Sequence, residues 1–143
     1  MTPMAFRFWN RRPETATKRS VRLQEAADPE TPRHQLHHLY TRYTHDSQIL
    51  AALATNPACC AGWLWEMAQS PNSDIREMVA TNPSAPALLL SVLAQDPWPW
   101  VRWQVARNPA CSPQLLSTLM ADSDVNVALQ AVQSHDAVVQ RVR

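Results

Sequence analysis

Cysteines, histidines and an unusual set of tryptophans are the residues of this chain with the most chemistry to offer. The cysteines are Cys59, Cys60 and Cys111. Three thiols are one short of a four-cysteine iron–sulfur or zinc cluster within one chain. The histidines His34, His37, His38 and His45 form the one metal-like grouping. His34 and His38 are four residues apart, so on a helix they share a face, a spacing that suits a transition metal. The zincin pattern H-E-x-x-H would place a glutamate at 35, where the chain has Gln35. A metal-binding protein is therefore one alternative, and a polar surface on the first repeat is the simpler account. Gly62 is the single glycine, so a phosphate-cradling loop is excluded. No serine or threonine stands in a nucleophile-elbow context. The expectation is a protein that is not an enzyme and carries no cofactor.

The elements that must position these residues are set by a repeat. Asn-Pro occurs at Asn56-Pro57, Asn82-Pro83 and Asn108-Pro109, a constant spacing of 26 residues. This period divides the chain into units 58–83, 84–109 and 110–135, preceded by a more divergent unit 32–57 and followed by a partial one, 136–143. Within the units Ile75 and Val79, Val101 and Val105, Leu89 and Leu93, and Leu115 and Leu119 are each four apart, the signature of one helix face. Each helix spans about two or three turns and must pack on neighbours to persist. Asn-Pro predicts the helix end, with Asn in the left-handed conformation and Pro blocking continuation. Ser70-Pro71 and Asp96-Pro97 mark the break between the two helices of a unit. The expected fold is all-α, a right-handed-type helical repeat solenoid of about four 26-residue helix-pair units.

Aligned on this period, the tryptophans separate. Trp63 falls with Leu89 and Leu115 and reads as core. Trp65 falls with Ser91 and Ser117, Trp98 with Asn72 and Asp124, Trp100 with Asp74 and Asn126, and Trp103 with Glu77 and Leu129. Positions that carry polar residues in sister units predict exposure. Trp65, Trp98, Trp100 and Trp103, with Arg102 nearby, thus form a candidate partner-binding surface. The competing account has Trp98 and Trp100 fold back over the repeat edge. Arg102 also shares its position with Arg76, which predicts an internal ladder with nearby acids. Asp46, Asp96 and Asp122 read as one recurring cap at the turn inside each unit. Cys59 and Cys111 stand two periods apart, too far for a disulfide if the units stack.

The runs Ile75–Pro83 and Val101–Pro109 resemble the V-R-x-x-V-A-x-N-P sequence that closes each repeat of the leucine-rich repeat variant family, bacterial HEAT-like solenoids. The resemblance spans 58–135 closely and 32–57 loosely, and does not reach 1–31. It implies alternating α- and 3₁₀-type helices, with the first helix of each unit 3₁₀-like. Some members hold an iron–sulfur centre through N-terminal cysteines. This chain has none before Cys59, so that property is not implied.

Charge completes the expectation. Residues 1–27 hold six cations against two acids and read as a basic, flexible tail, while 28–143 hold seven cations against ten acids. Phe6, Trp9, Arg11 and Arg12 are the tail's candidates for contact with an anionic membrane surface or a partner. The body lacks a basic stripe, which ranks a nucleic-acid-binding solenoid below a protein-binding scaffold. No 18-residue apolar run or signal sequence is apparent, so the expected location is cytoplasmic. Val138 and Val139 at the C-terminal end suggest a route to a homodimer. The leading expectation is a non-catalytic scaffold that binds another protein through an exposed Trp/Arg surface.

Overall fold

The computed structural model describes residues 16–141, and among them the chain is entirely helical. The helices are α1 (Ala16–Ala27), α2 (Arg33–Arg42), α3 (Ser47–Thr55), α4 (Ala61–Met67), α5 (Ser73–Thr81), α6 (Ala87–Leu93), α7 (Pro99–Arg107), α8 (Pro113–Leu119) and α9 (Val125–Arg141). The odd-numbered helices form one continuous layer, each packed on the next from α1 to α9. The even-numbered helices pack on their odd-numbered neighbours, with no comparable contact among themselves. The spacing of apolar residues accounts for this layer. Ile49 and Leu53, Ile75 and Val79, Val101 and Val105, and Val127 and Ala131 recur four apart and are all buried. The first helices of the units, α4, α6 and α8, are seven-residue α-helices rather than the expected 3₁₀-type.

The Asn-Pro pairs do more than end helices. Pro disfavours the α conformation in the residue before it. Asn56, Asn82 and Asn108 are accordingly extended, with φ of −73°, −66° and −67°. No positive φ occurs among the described residues, so the expected left-handed cap is absent. Each asparagine is instead turned into the layer and buried. The Asn82 amide donates to the carbonyls of Ala54 (2.6 Å) and Asn56 (2.9 Å), and its oxygen accepts from the Ser84 N–H (2.8 Å). Asn108 repeats this with Ala80, Asn82 and Ala110. The result is an amide ladder that clips each unit to the one before it and satisfies carbonyls that helix ends leave unpaired.

A second ladder is ionic. Arg76 makes a two-pronged contact with Asp96 (2.7 and 3.1 Å), and Arg102 does the same with Asp122 (2.8 and 2.8 Å). The third prong of each arginine donates to a turn carbonyl, of Ser70 and Asp96 respectively. The Arg102 hydrogen bond holds the Asp122 carboxyl below its usual range against the opposing effect of burial. At Asp96 burial pushes upward, but the Arg76 hydrogen bond, the Trp98 N–H and the two arginine charges outweigh it. Asp46 does not belong to this set. It lies in the register of Asn72 and Asp124 and caps α3 by accepting from the N–H groups of Gln48 and Ile49.

The boundaries differ from the sequence expectation at both ends. Residues 16–27, assigned to the tail, form α1 and pack on α3. Ala26 is buried, Arg19 pairs with Asp46 (3.0 Å), and Arg22 lies over the Tyr43 ring (4.8 Å). α1 is a further odd-layer helix whose unit closes with Asp28-Pro29. Asn56 clips to it through Ala26 and Asp28, 30 and 28 residues back, where the later clips span 28 and 26. That two-residue slip, with Asp in place of Asn, hides it from a 26-residue ruler. At the other end residues 136–141 continue α9 rather than starting a new helix, because Ser134-His135 stands where Asn-Pro would stop it.

Cys59 and Cys111 are buried and unpaired, and Cys60 is unpaired and half-buried. Burial pushes the Cys59 thiol up to about 12 and the Cys111 thiol up to about 11. Only thiolate is nucleophilic. Iodoacetamide at pH 7.5 is therefore expected to leave both unmodified in the native protein and to alkylate both in denaturant, as mass spectrometry of the digested chain would read.

Candidate functional site

α7 carries the feature that the packing does not explain. Its sister helices open on a polar cap: Asp46 for α3, Asn72 for α5 (2.9 Å to the Asp74 N–H) and Asp124 in front of α9 (2.9 Å to the Asn126 N–H). At the equivalent position α7 has Trp98, which supplies no cap hydrogen bond. An Asn or Asp N-cap contributes about 1 kcal/mol. Pro99 at the first helical position offsets part of this, since its missing N–H would be unpaired anyway. Trp98 does not recover the rest by burial, because it is 55% exposed.

Trp100 follows on the same turn and is 48% exposed. Its ring stacks on Trp103 with 4.6 Å between centroids and 6° between planes. The Arg107 guanidinium lies over the Trp103 ring at 4.5 Å. Residues 100, 103 and 107 follow the i, i+3, i+7 spacing of one helix face, so the stack runs along α7. Trp103 is partly buried and packs on the core, which anchors the stack. Gln104 donates to Glu77 of α5 (2.9 Å), fixing the same face from the side. Beside it lies a shallow cleft of about 210 Å³ lined by Thr81, Gln104, Arg107, Asn108 and Pro109. On the other side of α7, α9 exposes Val125, Leu129 and Val132.

The structure brings together two of the expected residues, Trp100 and Trp103, adds Arg107 to them, and leaves Trp98 exposed at the start of the same helix. The signal for Arg107 was its place four residues after Trp103. Arg102 is not part of this surface: its side chain is 12% exposed and spent on Asp122 and the Asp96 carbonyl. The ladder reading of Arg102 holds and the partner-contact reading does not. Trp65 is also elsewhere, half-buried against the core on α4, whose main neighbours are α3 and α5. Phe6, Trp9, Arg11 and Arg12 lie outside the described residues.

No family model, curated protein or solved structure matches the chain. The site must therefore be read from its own chemistry. Among the described residues no group of three or more His, Cys, Asp or Glu side chains converges as a metal site. His37 leans on Trp63 (5.7 Å between centroids), which also stacks on Tyr40 (4.9 Å, 15°). Tyr40 in turn donates to Glu66, and burial and then this carboxylate raise its hydroxyl pKa. This second aromatic group joins the two core clusters, so Trp63 is a structural residue as expected. Between residues 43 and 140 there is no basic stripe. The cations there are Arg76, Arg102 and Arg107, two of them tied into aspartates and the third laid over Trp103. No helix among the described residues is long and apolar enough to cross a membrane.

Proposed function

We propose that this chain is a helical repeat solenoid of the leucine-rich repeat variant type that acts as a non-catalytic scaffold, binding a protein partner through Trp98 and Trp100. The observation that carries this reading is Trp98 itself: an exposed tryptophan in the cap position that sister helices fill with Asp or Asn. Local stability is given up there without a gain in core burial, the pattern expected of a binding residue. Trp103, flanked by Trp100 and Arg107, serves as backing. The outer face of Trp100 and the exposed part of Trp98 remain for the partner. Stacking holds Trp100 in place before binding, which reduces the entropy lost on docking.

The test is capture from native cell lysate by the intact chain and by a Trp98→Ala, Trp100→Ala variant. Trp103 is left in place because it packs on the core. Each tryptophan is expected to contribute ~2 kcal/mol, about 30-fold in affinity. A partner held by the intact chain and lost by the folded variant supports the proposal. Equal capture by both places binding elsewhere and contradicts it.

A further inference from the structure

α9 exposes a stripe of Val125, Leu129, Val132 and Val139. Val132 occupies the position of Ala54, Ala80 and Ala106 in the preceding odd-layer helices. Each of those alanines is fully buried, and each sits on a helix that the next odd-numbered helix packs against. Val132 is 36% exposed, because α9 is the last helix of the layer among the described residues. Its unit also lacks the ionic clip that would hold a further one, because Ala128 replaces the ladder arginine. Val132 thus stands at a helix-packing position left open, with Val125, Leu129 and Val139 extending the exposed apolar stripe around it.

We propose that this surface pairs with the same surface of a second copy of the chain, α9 against α9 in antiparallel order about a two-fold axis at Val132. The spacing carries the choice of occupant. Val125 and Val139 each stand seven residues from Val132, so these three valines read the same from either end. Repeats of seven keep one face of a helix on its partner. With Val132 on the axis, Val125 meets Val139 of the second copy, and Leu129 meets His135. Asp136 falls opposite Ala128 of the second copy, so the seam brings no two acids together. The seam is isologous, as a two-fold requires. A 17-residue helix is about 25 Å long, so the seam alone buries less than the area of a standard interface and the dimer is weak.

Sedimentation equilibrium of the full chain from about 1 μM to 1 mM spans tight to weak association. The expected result is a mass rising from the 16.2 kDa of one chain toward twice that value. Val132→Glu, which sets two carboxylates against each other on the axis, is expected to weaken association at least about tenfold. If that variant misfolds by circular dichroism, Val125→Glu at the most exposed position of the stripe takes its place. Val132→Cys is expected to give a disulfide-linked dimer under mild oxidation, since the axis brings the two Cα atoms within about 7 Å. A monomer at every concentration overturns the proposal, whether the stripe is covered by the chain's own first residues or by a different protein. A dimer that the glutamate variants leave unchanged also overturns it, because the seam then lies elsewhere.

Discussion

Asn82→Ala lowers the unfolding free energy by about 3–5 kcal/mol. The alanine leaves the carbonyls of Ala54 and Asn56 and the N–H of Ser84 without their side-chain partner. Each buried polar group stripped of its hydrogen bond costs about 1–3 kcal/mol. Water recovers part of this at Ser84, which is exposed. Against a total stability of about 5–15 kcal/mol for a single domain, the loss is severe. A urea titration followed by circular dichroism reads it as a fall in the unfolding midpoint. A change under ~1 kcal/mol would show that the amide ladder is not a principal clip between units.

Arg102→Ala has an effect of similar size for a different reason. It strands the Asp122 carboxylate, 8% exposed, in surroundings arranged for a cation. Breaking one side of a buried pair costs about 3–5 kcal/mol, whereas replacing both sides by apolar residues of similar volume is near neutral. Arg102→Met with Asp122→Leu is therefore expected to be more stable than Arg102→Ala. The pH dependence has a fixed sign. Asp96 and Asp122 titrate below the usual carboxylate range in the folded protein. Their contribution is complete above the unfolded-state value of about 3.9 and is lost as pH falls through the lower folded values. The gap between wild type and Arg102→Ala consequently narrows as pH drops below about 4. A gap that stays constant down to pH 2 would exclude Asp122 as its source.

Much of this arrangement was legible in the residues, because repetition turns one sequence into its own alignment. The odd-layer helices follow from apolar residues four apart between prolines, and the ionic ladder follows from Arg76 and Arg102 recurring in register. Exposure of Trp98 and Trp100 follows from Asn72, Asp74, Asp124 and Asn126 at the same positions. Other features were hidden for physical reasons. An asparagine before proline has two uses, a left-handed cap or a side-chain clip, and only the neighbouring carbonyls decide between them. α1 carries three of the six N-terminal cations and a thin apolar face, so its composition reads as tail until Arg19 meets Asp46. Trp65 shows the limit of reading exposure from sister residues. Ser91 and Ser117 are exposed on their helices, yet the larger indole at that position reaches back to the core. Arg107 lacked a sister cation, and its role follows only from standing one turn beyond Trp103.

The most direct test of a binding role for Trp98 is the substitution that restores the local rule it breaks. Trp98→Asn gives α7 the cap that Asn72 gives α5. Urea unfolding and partner capture are measured on the same preparation. The expected result is a variant about 1 kcal/mol more stable than wild type that has lost its partner, stability and binding moving in opposite directions. A variant less stable than wild type would show that Trp98 covers core, and one that keeps its partner would show that binding does not use it.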